Sequence, residues 1–191
     1  MIRMNRAGLV AAGAAGAMAL LAAAAIAFVG LGVYDIGADD HHTKVVLAII
    51  EQLRERSIIT RARGIVVPNL ADPAKIAAGA RRYAALCTEC HLAPGVSKSA
   101  LRAGLYPHPP NLGQEEVLDA QHTFWVIKHG IKMSAMPAWG KTQDDAEIWE
   151  LVAFIRQLPE MTPESYVSLS REDRTLDKTF KTRDLPDAGG P

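Results

Sequence analysis

Five consecutive residues, Cys87-Thr88-Glu89-Cys90-His91, constrain this chain more than any other feature. Cysteines three positions apart lie on one side of a helical turn, so both sulfurs face the same way. The histidine directly behind them brings an imidazole to that side. Cys-x-x-Cys-His is the attachment signature of a c-type haem, in which the two sulfurs form thioethers along one porphyrin edge and the histidine becomes the proximal iron ligand. A structural zinc site would need a second pair of ligands, and these are the only cysteines in the sequence. A thioredoxin-like redox pair would need a βαβ setting, whereas the flanks here have helical patterning. The expected cofactor is one haem c, attached covalently at Cys87 and Cys90, with His91 on the iron.

A second motif, Met133-Ser134-Ala135-Met136-Pro137-Ala138-Trp139-Gly140, offers a thioether sulfur for the opposite face of that iron. Pro137 biases residue 136 towards extended backbone, the conformation needed by a strap lying across a haem face, so Met136 is favoured over Met133. The metal ligands are then His91 and Met136. A soft thioether stabilises ferrous iron, raises the potential and leaves no open coordination position, which is the chemistry of an electron carrier rather than of a catalyst. Met133 has the alternative of filling a core gap. His108, His122 and His129 read as surface or rim residues, with a bis-histidine haem as the open alternative.

The N-terminus poses a separate question. Arg3 and Arg6 precede an uncharged, proline-free run from Ala7 to Tyr34. A bilayer span needs about 20 apolar residues and a signal-peptide core about 7 to 15, so the run is long enough to anchor the chain. Ala25-Ile26-Ala27 resembles a cleavage site, yet an apolar stretch would remain beyond the cut. The basic N-terminus and the acids after the run place residues 1–6 in the cytoplasm and the bulk of the chain in the periplasm. The 191 residues hold 21 basic and 21 acidic side chains, and this balance gives no reason to expect nucleic acid as a partner. Redox proteins and the membrane are the expected partners.

From Asp39 to Pro68 the pattern becomes amphipathic, with Val46, Ile49, Ile50 and Leu53 on one helical face. This juxtamembrane helix either docks its stripe on the following domain, the favoured reading, or lies on the membrane surface. Asp72-Pro73 is an N-cap followed by proline at the first helical position. From there Gly79, Tyr83 and Cys87 recur on one helical face. Their expected partner is residues 144–158, where Ile148, Leu151, Val152 and Ile155 form an apolar stripe and Trp149 and Phe154 add bulk. Residues 122–128 read as a further helix with Phe124, Trp125 and Ile127 as core or pocket residues, and Thr162-Pro163-Glu164 as the start of a short helix.

These residues resemble the class I cytochromes c, in particular the single-haem domain of cbb-type oxidase subunits and related membrane-anchored cytochromes. The resemblance covers roughly Asp72 to Pro159 and is carried by the spacing from Gly79 and Tyr83 to His91, by Pro110-Asn111-Leu112, by Gly130-Ile131-Lys132 through Gly140, and by the run 151–155. It implies an all-α haem domain behind an N-terminal transmembrane helix. It further implies that Gly79 and Tyr83 pack against Leu151 and Phe154, that the Pro110 carbonyl accepts the His91 Nδ1 hydrogen, and that Leu112 lines the haem pocket. Leu92 departs from the glycine common at that position. Lys128, Lys132 and Lys141 flank the strap as a candidate basic rim for an acidic partner, with Glu147 and Glu150 near enough to offset it.

The expected organisation is a cytoplasmic start (1–6), an anchor (7–34), a juxtamembrane helix and linker (35–71), a cytochrome domain (72–160) and a polar, disordered tail (161–191). The expected function is single-electron transfer between periplasmic or membrane redox partners, by a carrier and not an enzyme. The alternatives are an electron-entry subunit of an oxidase or dehydrogenase and, less favoured, a haem peroxidase or gas sensor.

Overall fold

The computed structural model describes residues 6–115 and 119–171. In chain order the α-helices are α1 (Arg6–Gly30), α2 (Lys44–Ala62), α3 (Pro73–Leu86), α4 (Thr88–His91), α5 (Ala100–Ala103), α6 (Ala120–His129), α7 (Asp145–Ile155) and α8 (Pro163–Arg171), with 3-10 turns at Trp139–Lys141 and Leu158–Glu160. Among the described residues there is no β-strand; a lone antiparallel bridge pairs Ala93 with Val96. The chain divides at Asp40 into two units.

The first unit is built on α1, which is long and apolar enough to cross a membrane. Its 25 residues span about 37 Å at 1.5 Å per residue, against a hydrocarbon core about 30 Å thick. The helix ends at Gly30, short of the expected Tyr34, because Gly32 turns into the left-handed region (φ 61°). There the amides of Leu31, Gly32 and Val33 close back onto the carbonyls of Ala27, Val29 and Phe28.

In the second unit α3 and α7 form the central pair. Asp72 caps α3 by accepting from the Ala74 amide (2.9 Å), with Pro73 opening the helix as the sequence suggested. A reciprocal capping box starts α7: Asp144 accepts from the Glu147 amide and Glu147 accepts from the Asp144 amide. The helices meet at Gly79, where an added Cβ would lie 2.0 Å from the Glu150 carbonyl oxygen and 2.8 Å from the Phe154 Cβ. Only a residue without a side chain lets the two backbones come so close. Around this point Tyr83, Ile148, Leu151, Val152 and Phe154 are completely buried, with the Tyr83 and Phe154 rings 5.3 Å apart. At the edge of the contact Arg82 reaches across to Glu147 and Glu150, each at 2.9 Å, and donates to Gln143 (2.8 Å).

Two expectations change. The stripe expected to dock α2 does not: Ile49, Ile50 and Leu53 are exposed, and α2 instead buries Ile58 and Ala62 as it packs on α6. Helical periodicity had identified an apolar face without saying what covers it. The domain also runs beyond residue 160, because α8 lays Val167 and Tyr166 on the core and packs against α3. The Tyr166 hydroxyl meets Thr88 Oγ1 at 2.8 Å, inside the cysteine motif. Of the expected disordered tail, residues 172–191 lie outside the described residues.

Gly79→Ala is expected to destabilise the protein by about 3 kcal/mol or more, since the obstructing atoms are helix backbone that cannot rotate away. Chemical denaturation followed by far-UV circular dichroism measures the loss.

Candidate haem-binding site

The site grows out of the C-terminal end of α3. Cys87 ends that helix with its amide on the Tyr83 carbonyl (2.9 Å), and the next turn, α4, folds back on Cys87: the amides of Cys90 and His91 both donate to its carbonyl, at 3.1 and 2.8 Å. This single turn puts Cys87 and Cys90 on the same side, as their spacing required. Leu92 then takes a left-handed backbone (φ 58°), an unfavourable conformation for a branched residue that is held here by context. Its side chain is buried, its amide donates to the Thr88 carbonyl (2.9 Å), and its carbonyl accepts the Tyr83 hydroxyl at 2.7 Å. The Tyr83 hydroxyl thereby fastens the turn.

His91 is fixed by the proline-rich segment. Its Nδ1 lies 3.0 Å from the Pro110 carbonyl oxygen, and its own carbonyl accepts the Leu112 amide at 3.2 Å. A carbonyl can only accept, so Nδ1 carries the hydrogen and Nε2 keeps its lone pair for a metal. Burial of the ring lowers the His91 pKa, reinforced by the nearby Arg102 and opposed by the Pro110 bond. The neutral, ligating form is therefore favoured.

Arg102 is the functional residue that sequence reasoning missed. Its Nη1 donates to the Cys90 carbonyl (3.2 Å) and to the Pro109 carbonyl, tying the cysteine turn to the loop that carries Pro110. Ser99 caps the short α5 that presents it, accepting from the Arg102 amide (3.0 Å) and donating to the Glu89 carbonyl. A lone arginine between two motifs carries no periodic signal, and its partners are backbone atoms.

The segment expected to offer the sulfur ligand is the strap after α6. Gly130 (φ 65°) leaves the helix into it, and a Cβ there would collide with the Met136 oxygen and the Pro137 carbon at 2.7 Å. The strap closes through Ile131 N to Met136 O (3.1 Å), Ser134 Oγ to Ile131 O (2.8 Å) and Met136 N to Ser134 Oγ (3.2 Å). The two methionine candidates separate clearly. Met133 is fully exposed on left-handed backbone, whereas Met136 is half-buried and packs against the core cluster, as does Leu112.

The three histidines considered as alternatives lie in different settings. His108 and His129 are exposed, the latter against Trp125 with ring centroids 4.8 Å apart. His122, read from sequence as a surface or rim residue, is buried between α6 and α2, with Nε2 3.5 Å from Glu55. That distance is an electrostatic contact and too long for a good hydrogen bond. Phe124 is plain core, stacked on Trp149 with centroids 4.2 Å apart, and Ile127 is buried beside it. The expected basic rim is also altered: Lys128 is paired with Asp145 at 2.6 Å, and Glu147 and Glu150, expected to offset the rim, are engaged by Arg82.

Residues 74–155 match the family described as cytochrome C oxidase, cbb3-type, subunit III. The chain carries a c-type cytochrome domain. A domain of this type implies haem c as cofactor and electron transfer as activity, and the residues at the site suit that cofactor. No curated protein and no solved structure matches the chain. The cytochrome domain presents a neutral imidazole with its outer nitrogen free, a thioether packed beside the core and two cysteines on one turn. Burial, with a contribution from Cys90, pushes the Cys87 thiol up to about 12, so it is protonated at neutral pH and a poor thiolate ligand for a free metal ion.

Tyr83→Phe is expected to destabilise the cytochrome domain by about 1–3 kcal/mol by leaving the buried Leu92 carbonyl without its donor. The phenyl ring keeps the packing, so denaturant midpoints of the two proteins isolate the hydrogen bond.

Proposed function

We propose that this chain is a membrane-anchored, single-haem cytochrome that passes single electrons between redox partners in the membrane or the periplasm. In this reading Cys87 and Cys90 hold the haem through thioethers, and His91 and Met136 are the axial ligands. Haem iron supplies the one-electron chemistry. The Pro110 carbonyl fixes the tautomer and orientation of His91, Leu112 walls the pocket, and the strap from Gly130 to Gly140 delivers Met136. The observation that carries the proposal is the His91 Nδ1 to Pro110 contact, which commits the inner nitrogen and frees the outer one within a Cys-x-x-Cys-His turn. Helix α1 is the anchor, and Arg6 at its start supports a cytoplasmic N-terminus. Arg3, the other basic residue behind that orientation, lies outside the described residues.

A second reading, an electron-entry subunit of a larger oxidase, is favoured by the description of the matching family, which names an oxidase subunit. Purification in mild detergent separates the two readings: a carrier elutes alone, a subunit with its complex.

Denaturing electrophoresis with haem staining is expected to show haem on the wild-type chain and little or none on Cys87→Ser or Cys90→Ser. Met136→Ala is expected to lose the near-infrared sulfur-to-iron band of the ferric protein, to bind carbon monoxide when reduced and to fall in potential. Met133→Ala should leave all three unchanged, as its side chain stands in solvent. The reverse outcome would transfer the ligand role to Met133.

The exposed Lys132 and Lys141 remain as the basic rim. Charge reversal at both is expected to slow reduction by an anionic small-molecule reagent and to speed reduction by a cationic one, with both effects fading as salt rises. Lys128→Glu should do less, because Asp145 already offsets that charge.

A further inference from the structure

Helix α2 has two unlike sides. Its inner side is committed: Ile58 and Ala62 are buried against α6, and Glu55 faces His122 there. Its outer side carries Val45, Ile49 and Leu53, one helical turn apart from each other and exposed to 69, 62 and 70 %. Together with Ala48 and one polar residue, Gln52, they line one shallow groove, flanked by the cations Lys44 and Arg56. Glu51, two residues beyond Ile49, points away from this face by helical geometry. The face is thus apolar at its centre and basic at both ends.

We infer that this face of α2 lies on a phospholipid surface bearing anionic headgroups, the same bilayer that α1 crosses, and so fixes how the cytochrome domain is presented to its partners. The inference rests on α1 being a membrane anchor. Connectivity supplies the occupant. His41 and His42 rest against the Tyr106 ring, at centroid distances of 4.6 and 5.4 Å, so the tether is already bound to the domain one turn before α2. The connecting residues 31–40 reach at most about 35 Å even when fully extended. A lipid surface is therefore always at high effective concentration beside α2. Buried apolar side chains and basic flanks are the combination by which amphipathic helices settle into the headgroup region. A second copy is the poorer occupant, because a two-fold pairing of antiparallel α2 helices would set Lys44 of each against Arg56 of the other.

The test uses the full-length holoprotein in vesicles of phosphatidylcholine and phosphatidylglycerol, with one nitroxide attached through Ile49→Cys, Leu53→Cys, Glu51→Cys or Leu20→Cys. Wild type carried through the same labelling sets the background from Cys87 and Cys90. Labels at 49 and 53 are expected to be relaxed by oxygen and shielded from an aqueous nickel chelate, and the label at 51 to be open to the chelate. Glutamate at both 49 and 53, with the label moved to Val45→Cys, is expected to restore chelate access without loss of helical circular dichroism, since this face is outside the core. Labels at 49 and 53 as open to chelate as 51, while Leu20 reports the bilayer interior, would overturn the α2 contact and leave the anchor standing. Shielding at 49 and 53 with Leu20 in water would support the contact and overturn the anchor. Shielding accompanied by spin–spin broadening that grows with protein density would mean a second copy and overturn the lipid assignment.

Discussion

The close approach of α3 and α7 at Gly79 is the constraint on which the cytochrome domain depends. With the Glu150 carbonyl seated where a side chain would otherwise stand, the helices cross at backbone contact, and Tyr83 is carried into the core beside Phe154. Tyr83 then does two jobs: its ring fills the core, and its hydroxyl fastens the Leu92 carbonyl. The cysteine turn is consequently hung from the helix pair itself rather than from a loop. Arg82, engaged by Glu147, Glu150 and Gln143, holds the same crossing at its rim.

A second set of contacts joins that rigid pair to the loops facing it. Arg102 links the cysteine turn to Pro109, Pro110 holds the His91 ring, and Leu112 binds the His91 carbonyl. All of these bonds end on backbone carbonyls or amides. On the accepting side they depend on loop path more than on side-chain identity, which suits a site that must set the position of one imidazole. The strap works similarly through Gly130, whose missing side chain lets the Met136 carbonyl come close.

Short-range chemistry made much of this legible in the sequence. The cap at Asp72, the apolar stripe of α7, the glycine and tyrosine of α3 and the cysteine turn are governed by local spacing, and the sequence states such spacing directly. What escaped was the identity of partners. The stripe of α2 was visible, but Ile49 and Leu53 remain in solvent while Ile58 and Ala62 dock, because periodicity does not name an occupant. His122 looked polar and peripheral, yet α2 covers it. Arg102 bonds to backbone and so left no pattern to read, while α8 was legible as a short helix but its Tyr166 and Val167 form too brief an apolar run to announce that they join the core.

The cysteine turn has a consequence in time as well as in space. Cys87 belongs to the buried cluster that also holds Tyr83, Phe154 and Tyr166, and the clasp that seals the helix pair joins Arg82 to Glu150 across 68 positions of chain. Bringing such distant segments together is a late step in folding, because the entropy of closing a long loop is lost before the contacts that repay it are made. Until that closure the Cys87 sulfur is open to solvent; afterwards it is covered. Any reagent that must reach the Cys87 sulfur therefore meets it more readily in the open chain than in the completed fold, whereas Cys90, only partly buried, stays within reach in both.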